Sequence, residues 1–104
     1  MRFLLKVSIP VEAGNEVAKA GRLGKTIHSI LEELKPEAAY FTDDGGKRTG
    51  LIFLEIEESS QIPSVAEPWF LALNASVELH PVMTPEDLAT AGGAIAAAVE
   101  KYSR

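Results

Sequence analysis

The segment GLIFLEIEE, residues 50–58, constrains the fold of this chain more than any other stretch. Its residues alternate between two faces, as in a β-strand, and both faces are apolar. One face carries three aliphatic residues: Ile52, Leu54 and Ile56. The other carries Leu51 and Phe53 before the carboxylate of Glu55 interrupts it. Because apolar surface is unfavourable in water, such a strand needs a covering layer on each side.

Length and composition indicate one globular domain. The chain has 104 residues, which fits a single domain spanning 1–104. Hydrophobic residues make up 46% and charged residues 24%, so disorder is not expected. The net charge of -5 argues against nucleic acid and anionic membranes as partners, because both attract basic surfaces. There is no cysteine, which excludes disulfides and thiolate sites.

The positions and short lengths of the apolar runs favour a cytoplasmic protein. Lys6 interrupts the apolar start and no small-residue cleavage site follows, so we interpret this start as a first strand and not as a signal peptide. No run approaches the ~18–20 apolar residues that a membrane helix needs. We therefore expect a cytoplasmic location without a membrane partner.

Alternating apolar residues predict four strands. One covers residues 2–9, two lie within 37–58 around the sequence DDGG, and the last lies within 75–83. Asp-Gly and Gly-Gly supply the positive φ that a tight hairpin turn requires. With the turn centred on Gly45 and Gly46, the predicted cross-strand pairs are Asp43 with Arg48 and Tyr40 with Leu51.

Three helical segments separate or follow these strands. Apolar residues three and four apart predict one amphipathic helix from about 12 to 35. A short turn is expected at Ile62, with the helix restarting at Pro68, because an interior proline disrupts a helix. The last helix is predicted to continue to about Tyr102. Its start is a capping sequence made of Thr84, Pro85 and Asp87.

The order of these elements predicts an α+β, ferredoxin-like βαββαβ fold with a C-terminal helix. Its four-stranded antiparallel sheet has the first and third strands at its centre and both main helices on one face. The other face, here the open face, has no cover within this unit. It is expected to carry Leu4, Leu51, Phe53 and Val82, together with Lys6, Glu55, Glu78 and His80. A second copy of the chain is the simplest cover, so we expect a homodimer.

Parts of the sequence resemble one superfamily. PEAAYFTDDGGKRTG, AEPWFLALNASVELHPVMTPEDL and the helix between Pro10 and Lys35 resemble a domain-of-unknown-function branch of the dimeric α+β barrel superfamily. The resemblance covers nearly the whole chain. It implies a homodimer whose two sheets form a barrel, often with a cavity. Members include cofactor-independent monooxygenases, isomerases, haem-dependent enzymes and non-catalytic sensors. Because no catalytic motif of these members is visible here, the resemblance implies fold and assembly but not chemistry.

Lys6, Glu55 and His80 are the candidate catalytic residues. All three are expected on the open face of neighbouring strands, where a carboxylate and an imidazole in a half-dry cavity can act as acid and base. The favoured alternative is structural. In it, Lys6 and Glu55 form a cross-strand ion pair, and His80 packs at the dimer rim.

Tyr40 and Phe53 complete a candidate ligand site with Glu55 and His80. Packing of an edge strand is the favoured alternative for Tyr40. Neither a cofactor nor a metal site is predicted. The chain has no phosphate-binding loop and no calcium-loop spacing, and it has only two histidines.

Three functions are compatible with these residues. The first is a homodimer that binds a small organic molecule on the open face. The second is a cofactor-independent oxygenase or isomerase, with His80 as base, Glu55 orienting or protonating, and Lys6 stabilising negative charge. The third is a purely structural dimer whose interior is filled by the partner.

Overall fold

A computed structural model describes residues 1–103. The elements are β1 (Arg2–Ile9), α1 (Val11–Lys19), α2 (Leu23–Leu34), β2 (Ala38–Asp44), β3 (Lys47–Glu55), α3 (Ile62–Leu73), β4 (Ser76–Pro81), α4 (Pro85–Thr90) and α5 (Gly92–Tyr102). A short 3₁₀ turn, Ser59–Gln61, precedes α3. The strands form one antiparallel sheet in the order β2-β3-β1-β4. This is an α+β fold with the first and third strands central, as predicted, and it is compatible with a ferredoxin-like fold.

The β2–β3 hairpin has the predicted register. Gly45 and Gly46 both have positive φ, which gives the tight turn its backbone conformation. The observed pairs include Asp43 with Arg48 and Tyr40 with Leu51. The hairpin prediction is therefore confirmed.

The core lies between one face of the sheet and the helices α2 and α3. In β1 and β3, the residues that alternate with the open-face residues point toward the helices, as predicted. Their side chains are buried: Leu5, Val7, Ile9, Ile52 and Leu54. Ile56, just past β3, is also buried. From the helix layer, α3 contributes Val65, Trp69 and Leu73. These three residues are four positions apart, so they lie on the same side of α3, which faces the sheet.

The predicted helix over 12–35 is wrong in one respect, because it is two helices. Gly21 has a φ of 72° between α1 and α2. Its N–H donates to the carbonyl of Ala18, and the N–H of Arg22 donates to that of Val17. This is the glycine-dependent motif that ends helices, so Gly21 terminates α1 and does not merely weaken a longer helix.

The predicted interruption at Pro68 is also wrong. Helix α3 runs without a break from Ile62 to Leu73, with Pro68 inside it. Val65 and Leu73 are buried on either side of the proline, so core packing holds both halves in one helix. The carbonyl that Pro68 leaves without its helical donor belongs to Ser64, an exposed residue, so water can bond to it. Asn74 ends the helix in the left-handed conformation.

The last predicted helix begins as expected and then divides. Thr84 accepts a hydrogen bond from the backbone N–H of Asp87, and the Asp87 carboxylate accepts one from the N–H of Thr84. The capping prediction is thus confirmed. However, α4 ends at Thr90 and α5 begins at Gly92. Two consecutive glycines follow Ala91, and glycine is a poor helix former, so a break is favoured there.

Residues 84–102, here called the arm, extend away from the sheet and its helices. The described chain measures 59 × 28 × 21 Å and has a radius of gyration of 17.4 Å. A compact chain of this length has a radius of about 13 Å. Helix α5 buries no residue, and α4 is the element that it contacts most. The arm is therefore an extension of a compact sheet-and-helix unit.

Candidate functional site

The open face is the candidate site, and the strand registers order its residues into rows. Reading from β3 across β1 to the β4 side, the rows are Glu55–Arg2–Val82, Phe53–Leu4–His80 and Leu51–Lys6–Glu78. Tyr40 on β2 extends the third row. Neighbouring rows are about 7 Å apart along the strands. All predicted site residues therefore share one face, as their parity indicated.

An apolar strip runs through the middle of this face. Leu4, Leu51 and Phe53 are each half-buried, although no helix within residues 1–103 lies over them. Tyr40 is 63% exposed at the β2 edge of the strip. The strip offers a surface on which the apolar part of another molecule can pack, and the Tyr40 hydroxyl offers a hydrogen bond beside it.

Lys6 bonds to Asp44, which the sequence analysis did not single out as a partner. Its ammonium nitrogen lies 2.5 Å from a carboxylate oxygen of Asp44. Because β3 separates β1 from β2, the pair reaches across β3 near Thr49, which is buried. The hydrogen bond raises the pKa of Lys6 and lowers the pKa of Asp44, since each charge favours the other.

Glu55 lies at one end of the open face. Its carboxylate accepts a hydrogen bond from the Met1 amino group at 3.0 Å. Both groups line an open concavity of about 630 Å³, together with Arg2, Pro81, Val82, Met83 and Asp87. The concavity joins the sheet to the start of α4, because Asp87 belongs to that helix.

Further charged pairs surround this concavity. Arg2 makes a two-point contact with Glu37, in which Nη2 donates to Oε2 at 3.2 Å. Hydrogen bonding to Glu37 raises the pKa of Arg2, and Arg2 in turn lowers the pKa of Glu37. Hydrogen bonds from Thr84 lower the pKa of Asp87. The end of the open face therefore keeps several fixed charges in their ionised forms near neutral pH.

His80 pairs with its neighbour on β4. Its Nε2 lies 2.9 Å from the carboxylate Oε1 of Glu78, and both side chains are exposed. The two residues are two apart in one strand, so they project from the same face. A carboxylate that holds an imidazole in one orientation is a common second component of a general base.

The structure does not bring Lys6, Glu55 and His80 into contact. Lys6 stands opposite Leu51, and Glu55 stands two rows away, about 14 Å along the strands. The expected cross-strand ion pair between Lys6 and Glu55 is therefore wrong, because the β1–β3 register places Arg2 opposite Glu55. The three groups instead have separate partners: Asp44, the Met1 amino group and Glu78.

Sequence reasoning missed Arg2, Glu37, Asp44 and Asp87 as parts of the open face. Arg2 and Asp44 have the same strand parity as Lys6 and Tyr40, so extending the alternation to the strand ends would have placed both on this face. Glu37 and Asp87 carry no such signal, because each belongs to a segment whose position depends on how the chain leaves the sheet.

Comparison with known proteins assigns no family. No protein-family model matches the sequence, and no curated protein is significantly similar to it. Within residues 1–103, no three histidine, aspartate or glutamate side chains are grouped so that they could hold a metal ion. Over the same residues, no helix combines the length and apolarity required to cross a bilayer.

Proposed function

We propose that this chain forms a homodimer of the dimeric α+β barrel type that binds a small organic molecule on its open face in the cytoplasm. The observation that carries the proposal is the apolar strip of Leu4, Leu51 and Phe53, which lies on a sheet face that no helix of the described chain covers. Two open faces turned toward each other would remove both strips from water.

The surroundings of the strip support a partly apolar ligand with polar substituents. The Tyr40 hydroxyl and the His80 imidazole lie at its edges, and both can exchange hydrogen bonds with a ligand. Binding is favoured over catalysis because Lys6, Glu55 and His80 are spread over separate rows and have separate partners. A site with few polar groups around apolar side chains is the usual form of a small-molecule pocket.

The test has two steps. Light scattering over a dilution series should give a mass near 22.4 kDa, twice the 11.2 kDa of one chain. Ligand-observed NMR with aromatic and unsaturated carboxylic acids should then detect binding that Phe53→Ala weakens. Phe70→Ala is the matched control, because Phe70 is 38% exposed on α3, on the opposite side of the sheet. A stable monomer would overturn the dimer, and equal losses in both variants would overturn the binding site.

A second candidate function is cofactor-independent catalysis of oxygenation or isomerisation. The 2.9 Å contact between His80 and Glu78 supports it, since it orients the imidazole as a general base requires. In this arrangement Glu78, and not Glu55, is the orienting carboxylate. His80→Ala should then abolish turnover and leave binding intact, whereas a binding protein would lose affinity only.

A further inference from the structure

The arm carries an apolar stripe that nothing in the described chain covers. Leu88, Ile95, Val99 and Tyr102 are 51%, 52%, 56% and 76% exposed. Ile95, Val99 and Tyr102 are four and three residues apart, which places them on one side of α5, and Leu88 lies on α4. Three large apolar side chains aligned on one helix, with a fourth on the helix before it, are more than scattered surface residues, and they indicate a contact surface.

The arm is too short to be a stable helix by itself. Helix α4 has 6 residues and α5 has 11. Isolated helices below about 12–15 residues are marginal in water, and most helical stability comes from packing of the apolar face. The helical conformation of the arm therefore requires a surface on which Ile95 and Val99 can pack.

The arm begins where the open face ends. Val82 donates its backbone N–H to the carbonyl of Arg2, which keeps the chain in line with the sheet up to that point. Val82 then shares the concavity beside Glu55 with Asp87 of α4. The uncovered stripe and the uncovered sheet face are thus neighbouring surfaces of the same chain, but the arm points away from its own sheet.

We propose that the arm crosses to a second copy of this chain and packs its stripe on the open face of that copy. Helix α5 is about 17 Å long, and a four-stranded sheet is about 19 Å wide, so the helix matches the width of the face. The exchange is reciprocal, so a symmetric pair covers two arms and two faces at once. The inference rests on the proposed homodimer and adds the arm to its interface.

The area of the open face supports this arrangement. Four strands of about seven residues give a flat face of about 19 by 23 Å, or about 440 Å². A standard stable interface takes about 800 Å² from each partner. The arm supplies additional apolar surface that is continuous with the face and, when packed across it, closes one side of the space between the two sheets.

The first experiment places charge on the stripe of the full chain. Ile95→Lys/Val99→Lys should weaken dimerisation at least about 100-fold by light scattering, because buried lysines without partners are strongly unfavourable. The sheet-and-helix unit should stay folded, as measured by the near-ultraviolet circular dichroism of the buried Trp69, since Ile95 and Val99 are both more than half exposed in one protomer. Gly93→Lys/Ala97→Lys is the matched control: it adds the same charge on the opposite side of α5, where a side chain at Gly93 meets open space. The control should remain a dimer.

The second experiment identifies the surface that the arm contacts. Phe53→Glu alone should also dissociate the dimer. Mixing that chain with Ile95→Lys/Val99→Lys should restore a species near 22.4 kDa, twice 11.2 kDa. In the mixed dimer, the lysine arm meets the glutamate face and the other arm and face are both native. Recovery of the dimer supports the exchange. A dimer that Phe53→Glu leaves intact would overturn it in favour of arms that pair with each other, and dissociation of each variant without recovery on mixing would also overturn it.

The outcomes separate this inference from the proposed dimer. A wild-type dimer that the lysine variant leaves equally tight would overturn the arm exchange and retain the homodimer. A wild-type monomer would overturn both. A monomer with a radius of gyration near 13 Å by X-ray scattering would show instead that the arm folds back on its own sheet.

Discussion

Helices α3 and α5 are close in length and both carry apolar residues at helical spacing, but only α3 is covered. Helix α3 has 12 residues and buries four of them, whereas α5 has 11 and buries none. The contrast shows that periodicity identifies the apolar side of a helix without identifying the surface that covers it. In one protomer, side chains of α3 should therefore govern the stability of the fold, and side chains of α5 should affect it little.

The largest effect is expected at Trp69. Trp69→Ala should reduce the free energy of unfolding by about 3–5 kcal/mol, because it removes a fully buried aromatic ring and leaves a cavity. Urea denaturation measures this. The indole nitrogen has no hydrogen-bond partner among residues 1–103, so Trp69→Phe should cost much less. Under conditions where the chain is monomeric, Tyr102→Ala should change stability by less than about 0.5 kcal/mol. Equal losses for Trp69→Ala and Tyr102→Ala would show that the arm packs on its own core.

The second-largest effect is expected at Pro68, where substitution should increase the free energy of unfolding. Pro68→Ala should stabilise the fold by about 2 kcal/mol, because it restores a helical hydrogen bond within α3 and removes a steric clash. The gain is reduced by the greater flexibility of alanine in the unfolded chain. Thermal and urea denaturation give the value.

Pro63→Ala is the matched control for that substitution. Pro63 lies in the first turn of the same helix, where a backbone N–H has no helical acceptor in any case. Pro63→Ala should therefore produce no comparable gain in stability. If Pro68→Ala destabilised the fold, the proline ring would have to contribute packing that outweighs the lost hydrogen bond.

A substitution at Thr84 tests how the first helical turn of the arm is stabilised. Thr84→Ala removes the side chain that accepts the N–H of Asp87, which should cost α4 about 1 kcal/mol. Amide hydrogen exchange within α4 should then accelerate about fivefold, while exchange in α3 and the sheet stays unchanged. Thr90→Ala, in the same helix but away from the cap, should have a smaller effect. Faster exchange throughout the sheet would contradict the separation of the arm from the core.

The smallest effect is expected at the Lys6–Asp44 pair. The pKa of Asp44 is lower in the folded chain than in the unfolded chain, so its stabilising effect is present above about pH 4 and is lost as pH falls through the folded pKa. Asp44→Asn should therefore lower the urea midpoint slightly near neutral pH and leave it unchanged in strong acid. Asp43→Asn is the control, because Asp43 forms no salt bridge within residues 1–103. Matching pH profiles for the two variants would rule out a stabilising pair.

Much of the fold was predictable because it depends on short-range patterns. Alternation identified the strands and their inward faces, and the positive φ of Gly45 and Gly46 set the hairpin register. The errors arose where two local signals competed. The predicted helix from about 12 to 35 ran through Gly21, although the left-handed conformation of that residue ends α1. Pro68 was treated as a break, although core packing on both sides keeps α3 continuous.

The candidate site was predictable only as a face. Strand parity correctly placed Lys6, Glu55 and His80 on the open side of the sheet, but parity contains no information about which charges meet. Lys6 pairs with Asp44 across an intervening strand, and that contact depends on the order of strands in the sheet. The positions of Arg2 and Asp87 beside Glu55 depend on how the chain ends enter and leave the sheet.

By itself, the sequence determined the strands, the inward faces of the sheet, the hairpin and the cap of α4, because each depends on residues a few positions apart. Only the tertiary structure decided the ion partners of Lys6 and Glu55, the continuity of α3 and the direction of the arm. Those features depend on contacts between residues far apart in the chain, which local periodicity does not encode.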